Sequence, residues 1–145
     1  MTAARSAISR ATPAPLSWHR GLQVISMAYD VARGMAYLHA WSPPLIHRDL
    51  KSLNLLITDQ NRLKITDFGM TRAKAVIAGG DQQLQTAMMT QCGTPYWSAP
   101  EVLQGKCYNE KVDVYAFAMV LVELLNAAVP WTGNAMTIMR QVPST

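Results

Sequence analysis

The sequence predicts a mainly α-helical domain that carries one small β-hairpin. Three observations favour this fold class: a long amphipathic segment early in the chain, two short apolar runs around a turn, and a nearly continuous apolar segment later on. The chain has 145 residues, of which 50% are hydrophobic and 15% are charged. This length and composition suit one globular unit with its own core, and they exclude a disordered tail or a fibre.

The long amphipathic segment at residues 17–40 predicts a helix. Ser17 is a suitable N-cap, and Pro43 lies just beyond the point where the helix is expected to end, because proline disrupts helical hydrogen bonding. Asp30 and Arg33 fall on the predicted polar side. The apolar positions at helical spacing are Leu22, Ile25, Ala28, Ala32, Met35, Ala36 and Leu38.

The remaining elements are shorter. Apolar runs at residues 55–57 and 63–66 flank a polar turn and predict a β-hairpin. Residues 100–103 predict a single helical turn. The segment 114–125 is apolar nearly all round, so we expect a buried helix there, with Asp113 as its cap.

The charge distribution argues against a nucleic-acid-binding face. The formal net charge is +4, from 13 basic and 9 acidic residues. Arg5, Arg10 and Arg20 precede the first acidic residue, Asp30, so the rest of the chain has 10 basic and 9 acidic residues, a net charge of +1. A basic stripe is therefore absent from the sequence, and we expect no nucleic-acid partner.

Two further features concern the compartment. Cys92 and Cys107 lack the spacing of a zinc site or a disulfide framework, which favours a reducing, cytoplasmic location. The sequence has no uncharged apolar run of about 18 residues, so we expect no membrane-spanning segment in this chain. Residues 1–15 predict a flexible N-terminal segment, although their composition is also compatible with a mitochondrial transit peptide.

Three motifs that carry chemistry occur in a fixed order. They are His47-Arg48-Asp49-Leu50-Lys51-Ser52-Leu53-Asn54, then Asp67-Phe68-Gly69, then Ala99-Pro100-Glu101. This ordered set resembles the C-terminal lobe of a eukaryotic protein kinase. The resemblance implies the C-lobe of the kinase α+β fold, with residues 16–145 forming a partial kinase domain.

The resemblance also implies a role for each motif residue. Asp49 corresponds to the catalytic base that orients the substrate hydroxyl. Asn54 and Asp67 correspond to Mg²⁺ ligands, and Lys51 to the residue that reaches the γ-phosphate. Leu56 resembles the family's leucine beneath the adenine ring. The implied cofactors are ATP and Mg²⁺.

The motifs also imply a substrate class. Lysine at position 51 resembles serine/threonine kinases, and Thr94 resembles the threonine of the substrate-binding segment that hydrogen-bonds the catalytic loop. Residues 92–103 and 113–115 are most similar to the tyrosine-kinase-like group, whose members mostly phosphorylate serine and threonine. The implied partner is therefore a protein substrate with a serine or threonine hydroxyl.

Several regulatory and structural expectations follow from the same resemblance. Arg48 precedes the base, so a phosphate on Thr90 or Thr86 is expected to pair with it, although unmodified threonines fit equally well. His47 and Phe68 are expected to stack in an internal spine. Asp113 is expected to hydrogen-bond the backbone of the His-Arg-Asp motif, to cap its helix, or to do both.

Parts of the kinase pattern are missing from the sequence. No glycine-rich loop or strand lysine precedes the long helix, so we expect the N-lobe to be absent here. We also expect Glu101 to lack its family partner and the helix at residues 114–125 to expose an apolar face. Two functions remain open: part of a serine/threonine protein kinase, or a non-catalytic lobe that acts as a binding or decoy module.

Overall fold

The fold is described from a computed structural model over residues 2–3, 18–73, 94–131, 133 and 137–138. The helices are α1 (Trp18–His39), α2 (Pro100–Leu103) and α3 (Lys111–Asn126). The strands are β1 (Thr2–Ala3), β2 (Leu45–Ile46), β3 (Leu55–Ile57), β4 (Leu63–Ile65) and β5 (Arg72–Ala73). This arrangement confirms a mainly helical fold with a small antiparallel sheet. Within the described part of the chain, no helix is long and apolar enough to cross a membrane.

Helix α1 confirms the predicted long helix, but the predicted apolar face is only partly right: Met35 and Leu38 are buried, whereas the first two turns differ. Leu22 and Ile25 are 64% and 66% exposed. The sequence has apolar residues on more than one side of this helix, and contacts with β4 and α3 decide which side is covered. The proposed cap, Ser17, lies outside the described residues. The buried apolar residues of α1 are Met27, Val31, Met35 and Leu38.

Asp30 lies on the buried face of α1, although its charge suggested a polar position. Its carboxylate forms an ion pair with the Arg62 guanidinium, in which Nε lies 2.9 Å and 3.0 Å from the two oxygens. The same carboxylate accepts the backbone N–H of Leu63 over 2.9 Å. The Arg62 hydrogen bond lowers the pKa of Asp30, and burial acts in the opposite direction. The contact ties the middle of α1 to the turn between β3 and β4.

The predicted hairpin is confirmed, and the structure adds a third strand to it. β3 and β4 pair antiparallel with Leu55 opposite Ile65, and β1 pairs with the other edge of β3. β2 and β5 form a separate two-stranded sheet. Because side chains alternate along a strand, Leu55 is fully buried while Leu56 is only partly buried on the opposite face.

Helix α3 begins earlier than predicted. Its N-cap is Glu110, so Asp113 lies within the first turn and the predicted capping role is wrong. Val114 and Leu125 are 51% and 50% exposed, which agrees with an apolar face on this helix within the described residues. The short helix α2 confirms the predicted turn at residues 100–103. The buried apolar residues of α3 are Val112, Ala116, Val120 and Leu124.

We expect Asp30→Asn to destabilise the fold. The amide cannot pair with Arg62 as a charge, and a poorly satisfied buried Leu63 N–H costs about 1–3 kcal/mol. Because the folded-state pKa of Asp30 is lowered, the wild-type advantage is present at pH 7 and is lost as the pH falls below about 4. Urea unfolding at pH 7 and during acid titration measures both effects.

Asp59→Asn is the matched control, because Asp59 is an exposed aspartate in the turn between β3 and β4, the turn that also carries Arg62. Equal unfolding free energies for the two variants at pH 7 would contradict the role assigned to Asp30.

Candidate active site

The catalytic loop, residues 47–54, is held at its start by a buried carboxylate. Asp113 is 1% exposed and accepts the backbone N–H of His47 at Oδ2 and of Arg48 at Oδ1, each over 2.9 Å. His39 Nε2 donates to Oδ2 over 2.9 Å. Arg48 has a φ of 72°, a left-handed conformation that is unfavourable for arginine and that these bonds help to hold. The predicted anchoring by Asp113 is confirmed.

His47 links the catalytic loop to the segment that carries Asp67. Its ring is fully buried; Nε2 donates to the Thr66 carbonyl over 3.1 Å, and Nδ1 accepts the Asp49 N–H over 3.4 Å. The rings of His47 and Phe68 meet edge to face, with centroids 5.3 Å apart. This confirms the predicted stacking, and it gives His47 a structural role beside Asp49.

Four predicted site residues form one hydrogen-bonded cluster around Asp49. The Lys51 ammonium donates to Asp49 Oδ2 over 2.6 Å and to Thr94 Oγ1 over 2.8 Å. Thr94 Oγ1 in turn donates to Asp49 Oδ1 over 3.1 Å. Asn54 Nδ2 donates to the Asp49 carbonyl over 2.8 Å and to Oδ2 over 3.1 Å. The distant Thr94 therefore fixes one oxygen of the carboxylate, and the nearby Lys51 and Asn54 fix the other.

The cluster leaves a hydrogen-bond donor and an acceptor position available for a ligand. An ammonium has three protons, and Lys51 uses two of them within the cluster, so one remains for an anion. A carboxylate offers about four acceptor positions, and three side-chain donors take part at Asp49. The Asp49 side chain is 11% exposed, which leaves an opening through which a hydroxyl could reach it.

The hairpin brings Asn54 and Asp67 to the same end of the sheet. The Asn54 carbonyl accepts the N–H of Thr66 over 2.9 Å and its hydroxyl over 3.1 Å, and Asp67 follows directly. Asp67 is exposed with a φ of 62°. A Cβ at Gly69 would lie 3.3 Å from Asp67 Oδ1, so glycine leaves room for this carboxylate. The donor set is one carboxylate and one amide oxygen.

Arg48 lines a cleft that extends from Asp49 toward helix α3. The guanidinium carbon of Arg48 lies 5.9 Å from the centroid of the Tyr108 ring, a cation–π contact. The predicted phosphorylation sites Thr86 and Thr90 lie outside the described residues. Residues that line the cleft include Arg48, Asp49, Thr94, Trp97, Tyr108 and Asp113.

Within the part of the chain that the structure describes, the carboxylate of Glu101 forms no ion pair. Burial raises the pKa of Tyr115, and the negative charge of Glu101 adds to this effect.

Sequence reasoning missed Glu123, which is 2% exposed on α3 and accepts hydrogen bonds from Ser52 and Trp97. The available signal was the single acidic residue in the apolar segment 114–125, because an acid in such a segment is rarely buried without hydrogen-bond partners.

Comparison with known proteins agrees with this geometry. The family model for the protein kinase domain matches residues 12–144. The chain belongs to the protein kinase family. The serine/threonine-protein kinase CTR1 of Arabidopsis thaliana is 48% identical over 110 residues, which cover 76% of this chain and 12% of that protein.

Two other relatives have similar names. The serine/threonine-protein kinase drkC of Dictyostelium discoideum is 49% identical over 119 residues, which cover 81% of this chain and 15% of the relative. A serine/threonine-protein kinase/receptor of Acanthamoeba polyphaga mimivirus is 40% identical over 129 residues, which cover 89% of this chain and 7% of the relative. The chain thus spans between 7% and 15% of the length of these three kinases.

We expect Asp113→Asn to loosen the start of the catalytic loop. An amide has one oxygen for three donors, and each buried N–H left without an acceptor costs about 1–3 kcal/mol. The free energy of unfolding in urea should fall by that amount or more, and the amide protons of His47 and Arg48 should exchange faster with solvent.

Asn109→Ala is the control, because it removes an exposed side-chain acceptor for the N–H of Lys111 at the start of the same helix. If Asp113→Asn costs no more than this exposed substitution, Asp113 does not anchor the loop.

Proposed function

We propose that this chain is the C-terminal lobe of a serine/threonine protein kinase of the tyrosine-kinase-like group. The complete kinase of which this chain would form part transfers the γ-phosphate of ATP to a serine or threonine hydroxyl of a protein substrate. The cluster of Asp49, Lys51, Asn54 and Thr94 carries this proposal. It gives one carboxylate a fixed direction and one ammonium a free proton at the same place.

Asp49 acts as the base in this proposal. Its carboxylate accepts a hydrogen bond from the substrate hydroxyl and takes the proton as the oxygen attacks phosphorus. The bonds from Thr94 and Asn54 hold the carboxylate in one rotamer, so the hydroxyl meets a fixed acceptor. Lys51 supplies a positive charge beside it for the transferring phosphate.

Asn54 and Asp67 are the residues that would hold Mg²⁺. The amide nitrogen of Asn54 is committed to Asp49, so its amide oxygen is the atom left for a metal. The donors are hard oxygens, which Mg²⁺ prefers, and it usually fills its remaining positions with water and phosphate oxygens. When bound, the metal neutralises phosphate charge.

Leu56 supports the proposed nucleotide site, and Thr94 supports the proposed substrate class. Leu56 is partly buried on the face of β3 opposite the core, where it would offer an apolar surface to the adenine ring. The bond from Lys51 to Thr94 supports a serine or threonine substrate, because it joins the catalytic loop to the substrate loop, residues 94–97, through the lysine of the serine/threonine pattern.

A fusion protein tests the proposal: the N-terminal half of the CTR1 kinase domain is followed directly by this chain. We expect phosphate transfer from Mg-ATP to serine and threonine peptides and little transfer to tyrosine peptides. Asp49→Ala should lower kcat by about 10²–10⁴-fold, the usual contribution of general base catalysis. The chain alone should be at or near background, because its sequence holds no glycine-rich loop or strand lysine.

Asp59→Asn is again the control and should keep the activity of the fusion. A folded fusion without Asp49-dependent transfer would overturn the kinase proposal and favour a non-catalytic binding module.

A further inference from the structure

Strand β3 has a neighbouring strand on each side, with β4 on one edge and β1 on the other. β1 is the two-residue strand Thr2–Ala3, and it pairs antiparallel with β3. β1 also contacts the 3₁₀ turn Ser52–Asn54, which comes directly before β3. The match to the protein kinase domain covers residues 12–144, so β1 lies outside it. The kinase motifs therefore do not account for this pairing.

The hydrogen bonds between β3 and β4 show which backbone groups of β3 face β1. The Thr66 N–H donates to the carbonyl of Asn54, the residue directly before β3, over 2.9 Å. In an antiparallel pair, residues that exchange backbone hydrogen bonds alternate with residues that do not. Asn54 and Leu56 therefore direct their backbone groups toward β4, whereas Ile57 directs its N–H and carbonyl toward the outer edge. Without β1, these groups of Ile57 would lie on an unpaired sheet edge.

The backbones of the two residues of β1 contribute differently to the pairing. Thr2 lies opposite Ile57, so it is the residue that exchanges backbone hydrogen bonds with β3. Ala3 lies opposite Leu56, so its N–H faces away from β3. Because β1 is the edge strand of its sheet, the N–H of Ala3 lies on the open side. Proline is tolerated at such a position, and it disrupts pairing where the N–H is bonded.

The pairing supports two residues of the proposed nucleotide site. Leu56 precedes Ile57 in β3, and its side chain lies on the face proposed for the adenine ring. Asn54, a proposed Mg²⁺ ligand, is the last residue of the turn that β1 contacts. A hairpin of two strands is marginally stable in water, and a third strand adds to its stability. β1 therefore restrains the backbone that carries both residues.

We infer that β1 is a strap, a strand that orders the nucleotide side of the site by pairing with the outer edge of β3; this inference rests on the proposed function. A ligand that must order a segment loses affinity to the entropy of ordering, and a segment that is ordered beforehand avoids this loss. Release of β1 should therefore weaken nucleotide binding. The hydrogen bonds to Asp49 come from Lys51, Asn54 and Thr94, so the effect should fall on KM for ATP more than on kcat.

A pair of proline variants tests the pairing in the isolated chain. Thr2→Pro removes the N–H that faces Ile57, and the loss of one backbone hydrogen bond should open the pairing about 2–10-fold more often. The amide proton of Ile57 should therefore exchange with solvent about 2–10-fold faster, as measured by NMR of the ¹⁵N-labelled chain. Ala3→Pro is the matched control, because it introduces the same residue at the neighbouring position without removing a bond to β3. It should leave the exchange rate of Ile57 unchanged.

The same two variants in the CTR1 fusion test the effect on the nucleotide. Apparent affinity falls with the fraction of molecules in the competent state. Thr2→Pro should therefore raise KM for ATP by at least about two-fold and change kcat less. Ala3→Pro should leave both constants unchanged.

The exchange measurement needs no catalysis. If the fusion lacks Asp49-dependent transfer, the kinase proposal fails, and the exchange of Ile57 in the isolated chain still decides whether β1 is docked on β3.

Three results would overturn the inference. One is an equal exchange rate of Ile57 in the two proline variants. Another is an unchanged KM for ATP in an active Thr2→Pro fusion, which would make β1 a structural strand only. The third is protection of Ile57 that rises with the concentration of the chain, which would assign the docked strand to a second copy.

Discussion

The geometry of the site depends on the carboxylate of Asp113 and the two backbone N–H groups that it accepts. Burying a carboxylate is unfavourable unless donors replace the lost water, and here His47, Arg48 and His39 supply three of them. The two backbone donors belong to consecutive residues, and the left-handed φ of Arg48 follows directly after the second of them. The carboxylate and the strained backbone therefore stabilise each other, and Asp49 follows immediately in the chain.

The polar groups of the loop that Asp113 anchors form hydrogen bonds with one another and with Thr94. Asp49 accepts from Lys51, Asn54 and Thr94, while its own N–H meets the ring of His47. Such a network costs little reorganisation when a ligand arrives, because the dipoles are already oriented. Leu50 and Leu55, at 1% and 0% exposure, anchor this loop in the close-packed apolar core that α3 also joins.

The sequence predicted most helices and the hairpin because these elements have a clear period and clear stops. It failed where neighbours decide the outcome. The buried side of α1 is set by β4 and α3, and Asp30 is buried because Arg62 from a distant turn neutralises it. Strands β1, β2 and β5 are two residues each, too short to show any alternation. At the site, the motifs predicted which residues meet at Asp49, but a lone glutamate in an apolar helix gave no indication that Ser52 and Trp97 would bind it.

Within α3, the apolar residues contribute to the stability of the fold, whereas the two buried acids, Asp113 and Glu123, contribute to the geometry of the site. Val112, Ala116, Val120 and Leu124 pack against the core, so changes in their size alter the free energy of unfolding through cavities and strain. Asp113 and Glu123 lie among them. Asp113 accepts hydrogen bonds from His39, His47 and Arg48, and Glu123 accepts them from Ser52 and Trp97. A helix is stiffer than a loop, so placing both acids on α3 makes the distances at Asp49 depend on a rigid element. The residue types at positions 113 and 123 are therefore constrained by the geometry of the site as well as by packing.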